Sequence, residues 1–115
     1  MTPHAEVAIT FASALIEGNF SRAESLLTPE LRRSLSREVL RESFYTMFRS
    51  YTDGEPRRIR FDEEFQKEEW PTKVPGDIGW VYVGIEGDDF VEAVRVVVAE
   101  IGGRPLIREV EWGRP

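Results

Sequence analysis

Carboxylates supply most of the chemistry this chain could perform. The segment Asp62-Glu63-Glu64-Phe65-Gln66-Lys67-Glu68-Glu69 places Asp62, Glu63, Glu64, Glu68 and Glu69 within eight residues. Such a cluster suits a hard cation, but its spacing follows no calcium loop and Lys67 stands inside it. We therefore expect no metal here. Read singly, Glu63 falls on the same side of an alternating strand as Phe61 and Phe65. A carboxylate on an apolar face is either paired or functional, and a raised pKa would make it a general base. Glu92 is the second such candidate. Arg108 shares an alternation with Leu106, Val110 and Trp112, so it is expected to pair with Glu63 or to hold a polar ligand group beside it. Tyr82 and Tyr45 are candidate donors to a developing oxyanion. Trp80 and Trp112 complete the candidate pocket. The other reading of the acidic run is a docking surface, with Asp62, Glu64, Glu68 and Glu69 facing a basic protein.

Other chemistries lack their residues. His4 is the single histidine, in the first turn of the first helix, where we expect it to be exposed. There is no cysteine, so no disulfide, thiolate nucleophile or thiolate metal site is available. The glycines of "GIEGDDF" and "EIGGRP" lie outside any phosphate-loop context and read as turns. No cofactor is expected. Net charge is −6, which argues against nucleic acid as a partner. Residues 1–60 carry nine Arg against eight Asp/Glu, while residues 61–115 carry six Lys/Arg against thirteen Asp/Glu, so the acidity sits in the second half. No apolar run approaches the roughly 18 residues of a membrane helix, and the first residues lack the pattern of a secretory signal. A cytoplasmic protein without a membrane partner is the expectation.

The elements that must position these residues can be read from periodicity. Thr2-Pro3 opens a helix whose apolar stripe is Val7, Ala8, Phe11, Ala12 and Leu15, and Gly18 ends it. Asn19 caps a second helix, Thr28-Pro29 a short third one, and Ser36 a longer fourth. The last carries Leu40, Phe44, Met47, Phe48 and Tyr51 on one side and stops at Asp53-Gly54. The period then changes to two. "RRIRFDEEF" alternates, "QKEEWPTKVPGD" reads as a loop, and "IGWVYVGIE", "FVEAVRVVVAEI" and "RPLIREVEW" follow as strands joined by glycine turns. This predicts one α+β domain over 1–115: three to four helices over about 3–53, packed on a curved four-stranded antiparallel sheet over about 57–113. Both faces of "FVEAVRVVVAEI" are apolar. Helices can cover one of them, so a second copy of the sheet is expected on the other, giving a homodimer through the outer sheet face.

"FASALIEGNFSRAESLLTPEL", from Phe11 to Leu31, has a small-residue helix, a Gly-Asn step, an aromatic, then Ala and Leu-Leu. With three helices leading into a curved sheet, this resembles the nuclear transport factor 2-like superfamily, the cystatin-like cone. The resemblance implies a cone-shaped domain that often dimerises through its outer sheet face. The superfamily hosts isomerases, dehydratases, cyclases, transport factors, association domains and toxin-immunity proteins, so it does not choose among functions. The leading expectation is a non-catalytic binding protein, holding a small apolar ligand in the cone or a basic protein on its acidic surface, toxin immunity being one form. The alternative is a small isomerase- or cyclase-type enzyme with a carboxylate base. An association domain of a larger assembly is the third.

Overall fold

The computed structural model describes residues 1–114 and is α+β, four helices followed by a curved, unclosed antiparallel sheet. The helices are α1 (Pro3–Glu17), α2 (Phe20–Ser25), α3 (Pro29–Arg32) and α4 (Arg37–Arg49). Each starts where a short polar side chain can accept a bond from an otherwise orphaned backbone N–H. Thr2 accepts from Ala5 at 3.2 Å, Asn19 from Arg22 at 3.1 Å, Thr28 from Leu31 at 3.1 Å and Ser36 from Val39 at 3.4 Å. Gly18 closes α1 at φ 75°, a conformation that any Cβ would strain.

The strands are β1 (Arg58–Arg60), β2 (Gln66–Lys67), β3 (Asp77–Glu86), β4 (Val91–Ile101) and β5 (Arg104–Trp112). Their order is β1-β3-β4-β5, with β2 also pairing with β3. The four expected strand positions are therefore present, but the first is split. A 3₁₀ turn, Glu63–Phe65, interrupts "RRIRFDEEF", and the start of the expected loop supplies β2. The alternation inferred through Glu63 does not survive this turn. Glu63 is exposed, and Phe65 packs edge-on against Tyr82 at 4.9 Å, while Ile59 and Phe61 pack against the core.

Val81, Val83 and Ile85 of β3 and Val94, Val96 and Val98 of β4 point toward the helices. There they meet Phe11 and Leu15 of α1 and Leu40, Phe44 and Phe48 of α4, all fully buried. β5 is tied to the helical layer through a parallel bridge, Leu27 to Ile107, with both flanking backbone bonds at 2.8 Å. Two β-bulges border β4, one between Asp77 and Gly79 on β3 and one opposite Val97/Val98, where Arg108 is the extra residue of β5. The second bulge ends the alternation assumed for Arg108. Leu106 pairs with Ala99 on the outer face, whereas Val110 and Trp112 pair with Val96 and Val94 on the helix face.

The outer face is apolar at β4, as its sequence pattern implies, but a single chain already covers much of it. Val97 is only 2% exposed, and Ala93, Ala99 and Leu106 are also buried. The cover is made of long amphipathic side chains from neighbouring positions. The Trp80 ring lies between the Lys67 ammonium at 4.8 Å and the Arg95 guanidinium at 5.7 Å. Arg95 is in turn paired with Glu111, and Arg108 bonds to Asp77, two strands away. The small residues at the centre of the sheet do not by themselves demand a second copy.

Candidate functional site

The structure divides the candidate pocket residues between two faces. Trp80, Tyr82 and Arg108 belong to the outer side of the sheet. Glu92 and Trp112 belong to the helix side, at the end of the sheet beneath the C-terminal half of α4. Tyr45 sits on α4, with the Arg41 and Arg49 guanidinium groups 5.9 and 5.5 Å from its ring. It lines a separate shallow depression of about 470 Å³ made of α4 residues alone.

Arg108 has a different partner from the one expected. It meets Asp77 through two bonds, Nε to Oδ1 at 2.5 Å and Nη2 to Oδ2 at 2.7 Å, and does not pair with Glu63. The Asp77 side chain is 0% exposed and also accepts from the Val74 N–H at 3.0 Å. Burial alone would raise its pKa. The Arg108 and Val74 bonds and the Arg108 and Lys73 charges outweigh that, and hold the carboxyl below its ordinary value. This arrangement fastens the bulged start of β3 to the bulge of β5, so its role is structural.

His4 is also placed differently. It is 4% exposed, packed where glycine at 79 leaves room for its ring: a Cβ on Gly79 would lie 2.2 Å from His4 Cγ. Its Nε2 has no hydrogen-bond partner among the described residues. Burial pushes its pKa down, opposed by the Glu68 charge and by Gln66. The unfolded chain thus takes up this proton near the ordinary imidazole value of 6.5, and the folded chain only at lower pH. Stability is unaffected by His4 above that value and falls as pH drops below it, by up to about 1.4 kcal/mol per pH unit. Urea unfolding at pH 7.5 and 5.5 should show this loss in the wild type and a smaller one in His4→Leu.

The acidic run forms an exposed edge around the 3₁₀ turn and β2. Glu63, Glu64, Glu68 and Glu69 are exposed, while Asp62 is partly covered. Some of that charge is answered locally, Asp62 by Arg60 at 3.5 Å and Glu69 by Lys73 at 2.8 Å. No group of three or more metal-ligating side chains gathers among the described residues.

One depression with mixed chemistry is a groove of about 450 Å³ between α4 and the ends of β4 and β5. Glu42, Ser43, Thr46, Met47, Glu92, Trp112 and Gly113 line it. Glu92 is only 7% exposed. Its position on the helix face follows from the register, which pairs it with Ile85. Its Oε2 accepts a bond from the Tyr51 hydroxyl at 2.7 Å, and the Arg114 guanidinium stands 4.0 Å from Oε1. Tyr51 was expected on the apolar stripe of α4. The helix ends at Arg49, and the residue that follows Ser50 swings out, 54% exposed as a residue, with its hydroxyl toward Glu92. Loss of hydration at that hydroxyl, and then the Glu92 bond and charge, push its pKa up to about 12, so it stays a donor at any ordinary pH.

Sequence reasoning named Glu92 and Trp112 but missed Tyr51, Thr46, Met47 and Arg114. Tyr51 and Met47 sat in the helical stripe and were read as core. Nothing in the spacing signalled Arg114. Comparison with known proteins adds no assignment: no family model, curated protein or solved structure matches the chain.

Proposed function

We propose that the chain is a non-catalytic binding protein of the nuclear transport factor 2-like type, whose ligand site is the groove between α4 and the ends of β4 and β5. The observation that carries this reading is the placement of one buried carboxylate, Glu92, in the lining of a groove of about 450 Å³ together with Met47 and Trp112. Concave sites with largely apolar walls and a few placed polar groups are where small ligands bind. The space between helices and sheet is a weaker candidate, because Phe11, Phe44, Phe48 and Phe90 fill it. Glu92 is already engaged by Tyr51, which favours holding a ligand over abstracting a proton and ranks the isomerase-like alternative lower.

A basic protein on the acidic edge at 62–69 is the second reading, supported by the exposure of Glu63, Glu64, Glu68 and Glu69. An immunity-type inhibitor of a cationic toxin domain is its specific form. Homodimerisation through the outer sheet face is compatible with either, with Trp80 and Tyr82 as the partly exposed aromatics of that face.

One titration tests the groove. Indole added to isotopically labelled protein should shift the backbone amide signals of Thr46, Met47, Trp112 and Gly113 and leave those of residues 62–69 in place. Shifts confined elsewhere, or none at millimolar indole, would remove the groove as the ligand site.

A further inference from the structure

The groove carries an electrostatic preference beyond its shape. Glu92 is a nearly buried carboxylate with one oxygen bonded and the other not: Oε2 is held by Tyr51, while Oε1 accepts no side-chain hydrogen bond from the described residues. Oε1 is not sealed from solvent, so an opposite charge with donors entering the groove can reach it and form a charge-assisted bond. The protein's own cation nearby is Arg114. It stands 4.0 Å away, too far for a hydrogen bond, and its side chain is 62% exposed. An exposed, loosely placed guanidinium is a weak competitor, and a ligand can displace it. The remaining lining is what a cationic head with an apolar body would meet. Trp112 brings an indole to the lining, and an aromatic ring attracts cations over its face. Met47 offers a polarisable apolar wall, Ser43 and Thr46 supply hydroxyl acceptors, and Glu42 adds a second carboxylate from α4.

We propose that the groove selects small organic cations, a primary ammonium or guanidinium group seated on Glu92 Oε1 with an apolar body against Trp112 and Met47. This rests on the groove being the ligand site. Arg114 is then a placeholder that swings away when the cation binds. Tyr51 acts as a positioning residue, keeping the carboxylate turned so that Oε1 faces the groove.

The test compares tryptamine with tryptophol, which has the same ring and a hydroxyl in place of the amine, by calorimetry and by amide shifts on the full chain. Tryptamine is expected to bind at least about tenfold more tightly than tryptophol, since a hydrogen bond to an ionised group is the stronger kind. Glu92→Gln keeps the shape and an acceptor for Tyr51, so it should fold, verified by its circular dichroism, and it should abolish that preference. Arg114→Ala removes the competitor and should tighten tryptamine about two- to fivefold at low salt, the range an exposed ion pair allows. Equal binding of both probes in the groove would overturn the cation preference while leaving the groove as the site. Tryptamine affinity unchanged in Glu92→Gln, or weakened in Arg114→Ala, would also overturn it. Failure of both probes to bind would overturn the groove reading itself.

Discussion

Replacing Arg108 with alanine should lower the unfolding free energy by about 3 kcal/mol, because it strands a buried carboxylate. The Asp77 side chain is 0% exposed, and two of its bonds come from Arg108. Only the Val74 N–H would remain as a direct partner, with the Lys73 charge nearby. The pH dependence gives this prediction a distinctive sign. In the wild type the Asp77 pKa lies below the ordinary carboxyl value of 3.8. Its stabilisation is present above that value and is lost as pH falls further. In Arg108→Ala only the Val74 bond and the Lys73 charge still oppose burial, and the pKa rises. The folded state then binds the proton more readily than the unfolded one, so the variant's deficit relative to wild type, which shares the His4 loss, should shrink on going from pH 7 to pH 5. Urea unfolding at both pH values reads the two effects. A double variant, Asp77→Leu with Arg108→Met, should return to within about 1.5 kcal/mol of wild type, since an apolar pair of similar volume avoids the desolvation penalty altogether. A single Arg108→Ala loss below about 1 kcal/mol would mean that water reaches Asp77 and that the two bulges do not need this fastening.

The same pair shows where reading the chain alone ran out. Helix starts were legible because each depends on one residue and its immediate neighbours: Thr2, Asn19, Thr28 and Ser36 all cap as their sequence context implies. The α+β order was legible because the change from period 3.6 to period 2 after Gly54 is local as well. Bulges are not. Nothing in "RPLIREVEW" marks Arg108 as an extra residue, yet that one insertion separates it from Val110 and Trp112 and turns it toward Asp77. The 3₁₀ turn at Glu63–Phe65 similarly undid the face assigned to Glu63. His4 looked exposed because it is polar and early in the chain. It is buried because a glycine seventy-five positions later leaves a gap beneath it. The outer sheet face taught a related lesson. Its apolar pattern was read correctly, but the cover for β4 comes from Trp80 together with Lys67, Arg95 and Arg108, whose long charged side chains count as polar in any pattern. In the groove, Glu92 was legible as a carboxylate interrupting an apolar strand. Its partner Tyr51 was not, because only the end of α4 at Arg49 frees that ring from the helical stripe.

Phe48→Ala should be the most damaging single truncation near the groove, at about 4 kcal/mol. Phe48 is fully buried and stacks on Phe90 with ring centres 4.8 Å apart at 13°, while Phe44 meets it edge-on at 5.4 Å. It joins α4 to the residue that leads into β4, so its removal loosens both walls. Phe48→Leu keeps most of the volume and should lose less than about 1.5 kcal/mol. The difference bears on function, because these rings occupy the space that a cone-shaped domain would otherwise leave open between its helices and sheet. If they close it, the alanine variant gains a cavity that wild type lacks. Benzene should then raise the melting temperature of Phe48→Ala and leave that of wild type unchanged, since a ligand stabilises only a folded state that can admit it. A wild type equally stabilised by benzene would mean that the interior opens readily. The space between helices and sheet, and not the groove beside Glu92, would then be the better candidate for a ligand site. Stabilisation of the variant alone would leave the proposed groove as the candidate that the native side chains keep accessible.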